Sequence, residues 1–276
     1  MIEFHVPVLL QSVCEYLAVS EGKRYIDTTL GTEGHTREII SRGGLVLGID
    51  QDPDSLSACP NLDGLTKIRG NFMFLKDIAL AAGYSKVDGV LFDLGMSSRQ
   101  LDNPERGFSF QKTGPLDMRM DQSQSITAAM LINTLSEDEL AEILHRYGEI
   151  NSAKSYARKI IQARPLITTE DLSRIFIHSN HRRQAFQALR IAVNGEILAL
   201  ESGLQQAIDL LLPGGRLVVI SYQSLEDRLV KVYFKKWEST GIGKVLTSKP
   251  ILPNISEILS NPRAKSSKLR AFSKNI

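Results

Sequence analysis

Cysteine is nearly absent from this sequence: 276 residues carry two thiols, Cys14 and Cys59. Long apolar runs are missing too. Stretches such as Leu217–Ile220 fall far short of the ~20 residues that cross a bilayer as a helix. The first residues, Met1-Ile2-Glu3-Phe4-His5, lack the basic start and apolar stretch of an export signal. These absences predict a cytoplasmic chain, with reduced thiols rather than a disulfide and no membrane partner. Net charge is also small, +2. Its distribution is uneven: residues 213–276 carry +8 and the remainder −6. A basic tail on a mildly acidic body suits a polyanionic partner, although a solvated tail that aids solubility explains the charge about as well.

What the sequence does contain is enough apolar material, 42%, for one large domain or a domain with an insertion. Short apolar runs end at acidic or turn residues. Tyr25-Ile26 leads to Asp27, Leu45–Ile49 to Asp50 and Val87–Phe92 to Asp93. Leu65–Arg69 is weaker, and Arg216–Ile220 follows the turn Pro213-Gly214-Gly215. Runs of this length fit strands buried on both faces. Helical patterns between them, as at 34–41 and 53–59, predict an α/β fold with a doubly wound, mostly parallel, Rossmann-like sheet.

The alternation breaks between about Asn103 and Gln187. Ser136-Glu137-Asp138-Glu139 has the form of a capping box ahead of Leu140, Ile143 and Leu144. Further helices are expected at Thr169–Ile177 and Arg183–Val193. The predicted organisation is a sheet domain, residues 1–102 and 188–276, interrupted by a helical insertion, residues 103–187, with a role in substrate recognition.

Open α/β sheets bind ligands at the carboxyl ends of their strands. The first such end reads Asp27-Thr28-Thr29-Leu30-Gly31-Thr32-Glu33-Gly34-His35. Its glycines permit a tight turn and close backbone approach. Asp50 ends the second strand, where a carboxylate can accept both ribose hydroxyls of an adenosine. A dinucleotide would use the same acid. The loop discriminates better: a pyrophosphate wants bare backbone N–H groups and no nearby anion, whereas Asp27 and Glu33 suit the sulfonium and ammonium groups of S-adenosylmethionine. The bland alternative has Asp27 capping the turn and Glu33 facing solvent.

With these residues placed, the whole chain resembles the bacterial 16S ribosomal RNA (cytosine-N4)-methyltransferase family. Nine blocks in one order carry the resemblance. They begin with residues 5–10, Tyr25–Thr36, Gly48–Pro53 and Phe92–Asp102. Glu105–Phe110, Gly114–Asp121, Phe186–Asn194, Ser221–Arg228 and Asn261–Arg270 follow. The resemblance implies a seven-stranded methyltransferase sheet, S-adenosylmethionine as cofactor, and methylation of the exocyclic N4 of a cytidine in the decoding region. It places cofactor contacts on Glu33, Gly34, His35, Asp50, Phe72, Asp93 and Gln100. The chain departs from the family pattern at Glu33 (usually glycine), at Arg99 in Ser98-Arg99-Gln100 (usually Ser-Pro-Gln), and at Tyr222-Gln223-Ser224 (usually Phe-His-Ser).

The N4 lone pair is delocalised into the ring, so the enzyme has mainly to align N4, methyl and sulfur and exclude water. Asp93 is the best-placed acceptor for an N4 hydrogen, with contact to the cofactor alone as the even alternative. Ser97 and Ser98, in Gly95-Met96-Ser97-Ser98, would line the base. Phe108, Phe110 or Tyr222 would stack on it, with core packing favoured for the two phenylalanines. Arg182, Arg183 and Arg190 in the insertion, and Arg263, Lys265, Lys268 and Arg270 in the tail, are the candidate RNA contacts. His178 and His181, with Asn180 between them, read as a turn. No metal site is proposed, since the histidines show no ligand spacing. The expected partner is 16S ribosomal RNA within the small subunit, and a homodimer stays open. Two competing readings remain: a nucleotide-dependent dehydrogenase, and a ribosome-assembly factor that keeps the fold without catalysis.

Overall fold

The computed structural model describes residues 7–276, so His5 and Val6 of the first block lie outside the described residues. Two compact units emerge: residues 1–95 with 197–276, and residues 96–196.

The first unit opens with α1 (Leu10–Leu17), β1 (Arg24–Asp27), α2 (Gly34–Ser41), β2 (Leu45–Asp50), α3 (Pro53–Ala58), β3 (Leu65–Arg69), α4 (Leu75–Ala81) and β4 (Val87–Asp93). The second supplies α5 (Ser98–Asp102), α6 (Ala128–Thr134), α7 (Glu137–Arg146), α8 (Ala153–Ala163), α9 (Thr169–Ile175) and α10 (Ser179–Asn194). The chain then runs through α11 (Glu196–Leu210), β5 (Leu211–Ser221), α12 (Ser224–Ser239), β6 (Gly243–Val245), α13 (Ile255–Ser260) and β7 (Lys268–Lys274).

The strands form one seven-stranded sheet in the order β3-β2-β1-β4-β5-β7-β6. β1 pairs in parallel with both β2 and β4, while β7 lies antiparallel to β5 and to β6. This is the expected doubly wound, mostly parallel sheet. Alternation along the strands explains why its runs look uniformly apolar. Tyr25, Val46, Leu91, Val218 and Ile220 pack on one face with Val13 and Leu17 of α1 and Ile39 of α2. Ile26, Leu47, Ile49, Val90 and Phe92 pack on the other with α4, α11 and α12. Both faces are covered, so period 2 leaves no polar side to read. Cys14 and Cys59 are buried free thiols, and burial pushes both up to about 11.

The turn between α11 and the rest of the sheet differs from the expectation. β5 starts at Leu211, takes the Pro213-Gly214-Gly215 segment within its span, and shows a register shift against β4 between Val87 and Gly89. The topological switch point falls between β1 and β4, because the chain leaves β1 toward β2 and β3, then crosses back to β4. Asp27 and Asp93 end those two strands.

The helical unit has its own core, in which Leu140, Leu144, Ile160, Leu172, Phe176 and Leu189 are buried. Four of its helices, α5, α6, α7 and α9, start where a side chain accepts one of the first N–H groups. Ser136 and Glu139 form the expected reciprocal box on α7, and Thr168 with Asp171 forms another on α9. Four boundaries differ from the expectation. The unit begins at Met96 and ends at Glu196 rather than at 103 and 187, because Met96 and Leu101 pack against its core and α10 continues unbroken to Asn194. α9 stops at Ile175, where Phe176 turns extended and fully buried. α10 starts four residues earlier than expected, at Ser179. His178 and His181 therefore span its first turn, rings 5.5 Å apart, and Asn180 is helical.

Candidate active site at the carboxyl edge of the sheet

Three carboxylates end three neighbouring strands: Asp27 on β1, Asp50 on β2 and Asp93 on β4. Asp27 is only 2% exposed. It accepts from Thr36 Oγ1 at 2.7 Å and from the Thr29 amide at 3.2 Å. It does cap the turn, as the bland reading had it. Asp50 Oδ2 accepts the Gly31 amide at 2.8 Å and Oδ1 the Asp52 amide at 2.9 Å. A carboxylate has about four acceptor positions, so these two bonds tie the loop to β2 without exhausting Asp50.

Burial is the first cause that raises all three acids. Asp50 is pushed up to about 6, with two backbone bonds opposing the shift and Asp52 and Asp27 adding to it. In Asp27 burial outweighs His35 and the Thr36 and Thr29 bonds. In Asp93 it outweighs His35 and the Tyr222 bond, and Asp27 adds to the rise. Burial disfavours the charged form of each acid, and a cationic ligand beside them would offset that penalty.

The loop after β1 needs two left-handed residues, Gly31 at φ 50° and Glu33 at φ 54°. Glu33 adopts the conformation that glycine takes more cheaply, at a cost of roughly 1–2 kcal/mol. Its backbone N–H donates to the Leu30 carbonyl at 2.8 Å and closes the turn. Its side chain does not face solvent: it is 7% exposed, and Oε1 accepts Arg37 Nη2 at 2.9 Å. Gly34 opens α2 against Pro7, where an added Cβ would stand 2.9 Å from Pro7 Cγ. His35 is buried beside it. Its Nε2 lies 2.8 Å from the Val8 carbonyl and its Nδ1 3.4 Å from Asp93 Oδ2. Phe72 follows β3 and meets Phe92 edge-on at 5.4 Å.

These six residues sit in the sheet unit. Gln100, the seventh cofactor residue expected, sits in the helical unit. It is buried and closes a capping box on α5: Ser97 Oγ accepts its amide at 3.2 Å, and its Oε1 accepts the Ser97 amide at 3.0 Å. Ser97 is thereby the N-cap, Ser98 the first residue of α5, and Arg99 an exposed residue of its first turn. Phe108 is buried in the helical core and Phe110 packs on Phe186 at 5.8 Å, which leaves Tyr222 as the aromatic candidate beside Asp93. Gln223 heads α12 and spends its Nε2 on Glu226 Oε1 at 2.8 Å. Nothing in the sequence pointed to the Thr36, Thr29 and Tyr222 hydroxyls as partners of the edge acids. They reach them from α2 and from the ends of β1 and β5.

The model of the MraW methylase family matches residues 3–275. The chain belongs to that family. Relatives named ribosomal RNA small subunit methyltransferase H are similar over almost the whole length. The protein of Carboxydothermus hydrogenoformans is 43% identical, covering 98% of this chain and 97% of its own. That of Deinococcus radiodurans is 46% identical over 96% and 88%. That of Symbiobacterium thermophilum is 42% identical over 98% and 96%. Membership of a methylase family disfavours the dehydrogenase reading, in line with the acid-rich edge.

Within this MraW-family fold the expected RNA contacts separate by burial. Arg183, Arg263 and Lys265 are exposed, and Arg182 is half-buried with Nη2 on the Phe176 carbonyl at 3.1 Å. Lys268 is half-buried, 3.7 Å from Asp227. Arg190 and Arg270 are committed elsewhere. Arg190 donates twice to Glu196, at 2.8 Å each, with both side chains 12% exposed. Arg270 lies in β7 at 7% exposure and binds Asp227 at 2.6 and 3.2 Å. Within the tail Arg270 and Asp227 cancel each other, so its net +8 is carried by the other residues.

Proposed function

We propose that this chain transfers a methyl group from S-adenosylmethionine to the exocyclic N4 of a cytidine in the decoding region of 16S ribosomal RNA, acting in the cytoplasm on the small ribosomal subunit. The observation that carries the chemistry is Asp93: a carboxylate at the switch point, held from two sides, next to a second buried acid. The cluster of Asp27, Asp50 and Asp93, whose ionisation a nearby cation would favour, fits a ligand bearing a sulfonium and an ammonium. Glu33, Gly34 and His35 would offer the loop, Asp50 the ribose contact and Phe72 the adenine side; Gln100 is the seventh residue assigned to the cofactor.

Bound there, S-adenosylmethionine supplies a methyl on a sulfonium, an electrophile whose leaving group is a neutral thioether. The N4–C bond forms as the C–S bond breaks, its electron pair going to sulfur. N4 then bears a positive charge and sheds one proton. Asp93 is the proton's acceptor in this reading, and by accepting an N4–H bond beforehand it turns the lone pair toward the methyl. Ser97 and Ser98 are assigned to the base. The target is most accessible in single-stranded or loop RNA, since a stacked base must first be flipped. The helical unit, through Arg182 and Arg183, and the exposed tail residues Arg263 and Lys265, are assigned to RNA phosphates. Mass mapping of cytidines in small-subunit RNA, from cells with and without this protein, tests the reading. An unchanged map would end it and favour the assembly-factor alternative.

Two further outcomes are expected. Cofactor affinity should fall about tenfold between pH 8 and pH 5, because a ribose needs the ionised Asp50 and that acid titrates at about 6. Calorimetric titration across pH checks this, and Asp50→Asn should remove the dependence. Reversing both tail charges, Arg263→Glu with Lys265→Glu, should weaken RNA binding. It should also flatten the slope of log Kobs against log salt by about 1.4, at 0.7 per phosphate on single strands. An unchanged slope would show that these two residues touch no phosphate.

A further inference from the structure

Asp93 does not stand alone, and its two neighbours are unlike each other. Tyr222, at the end of β5, donates its hydroxyl to Asp93 Oδ1 at 2.9 Å. His35 approaches Oδ2 with Nδ1 at 3.4 Å. A carbonyl can only accept, so the 2.8 Å contact of His35 Nε2 with the Val8 oxygen places a proton on Nε2. The imidazole lone pair at Nδ1 would then face a carboxylate lone pair. The contact is attractive only when one more proton lies between Nδ1 and Oδ2. That proton rests either on the ring, leaving Asp93 ionised and able to receive another, or on Asp93, leaving it filled. The Tyr222 hydroxyl weighs on this choice because it stabilises the ionised carboxylate.

The structure holds Tyr222 tightly. Its amide donates to Glu226 Oε2 at 2.9 Å, and the first turn of α12 is capped through the same Glu226. Gly95, at φ 115°, lets the ring come close: a Cβ there would stand 3.3 Å from Tyr222 Cδ2. Burial, then Asp93 itself, raises the phenol well above its usual range, so the hydroxyl stays a donor. The charged and titratable groups facing this pair are Asp27 from β1, His35 from α2, Glu226 from α12 and Glu257 from α13. Burial and Asp27 oppose ionisation of Asp93, while Glu226 and Glu257 act on the phenol. The phenol hydroxyl and His35 are what counter burial and Asp27.

We propose that Tyr222 is a positioning residue that keeps Asp93 ionised and aimed for the N4 proton, with His35 fixing the other carboxylate oxygen. This rests on Asp93 being the acceptor, as argued above. The test is Tyr222→Phe, which keeps the ring and its contact with Gly95. A hydrogen bond to a charged group is worth about one to two pH units of titration. The 13C-carboxyl titration of Asp93 in cofactor-free protein, assigned with Asp93→Asn, should therefore move up by about one unit. The acid limb of kcat should move up with it, because kcat falls as pH drops through the Asp93 titration. KM for RNA should change little, and the loss of rate should be largest at low pH. An unmoved carboxyl titration would overturn the proposal. A carboxyl titration that moves while the kcat limb does not would uphold the action of Tyr222 on Asp93. It would instead overturn Asp93 as the proton acceptor.

Discussion

Replacing Asp93 by asparagine is expected to lower kcat about 10²–10⁴-fold at saturating cofactor and RNA, the range seen when a positioned proton acceptor is lost. The substitution is nearly isosteric. Oδ1 can still accept the Tyr222 hydroxyl, and Nδ2 can donate to His35 Nδ1, so the contacts at 2.9 and 3.4 Å keep their places. What disappears is a group able to take a proton from N4. Single-turnover methylation, measured beside cofactor affinity by calorimetry, separates the two roles considered for Asp93. A large fall in rate with affinity changed less than about tenfold assigns it to chemistry. A fall in affinity with rate intact under saturation would reduce it to a cofactor contact, and the alignment of N4 and methyl would then carry the reaction unaided.

The second large effect is on stability. Asp227→Ala is expected to cost about 3–5 kcal/mol, the range for breaking one partner out of a buried pair. Arg270 would be left in β7 at 7% exposure without the carboxylate that takes two of its donors. Lys268, 3.7 Å from the same carboxylate, would lose a partner as well. In a protein of this size a loss of that order lowers the melting temperature by roughly 10 °C. The comparison with Asp227→Ala and Arg270→Met together is informative, because replacing a buried pair by apolar groups is often neutral or better. Recovery of melting temperature in the double variant, with RNA affinity unaltered, would establish Arg270 as a structural residue. A drop in RNA affinity in that refolded double variant would return it to the RNA surface.

These two residues show where a linear sequence stops being informative. Asp93 was legible because strand ends are legible: an apolar run closing on an acid marks a carboxyl edge wherever the sheet is parallel. The same logic placed Asp27 and Asp50, and the alternation of runs and helices gave the sheet its winding. Capping boxes are local too, and Ser136 with Glu139 was readable from four residues. Arg270 was not legible. A guanidinium in a basic tail looks the same whether it faces water or a buried aspartate 43 positions away. Arg190 repeats the case with Glu196. Glu33 was legible only in part, for a related reason. Its backbone obeyed the local turn, but its side chain direction depended on Arg37 one helical turn later.

By itself the sequence determined the order of elements, the family, and the three acids at the strand ends, because strand burial, capping and turn geometry are set within a few residues of each other. Tertiary structure alone decided which charges remain available. It closed Glu33 onto Arg37, Arg190 onto Glu196 and Arg270 onto Asp227. It also brought Tyr222 from the end of β5 and His35 from α2 to opposite oxygens of Asp93. The physical reason is the same in each case. The charge a side chain presents depends on what is folded against it, and those partners come from strands and helices that only the fold makes neighbours.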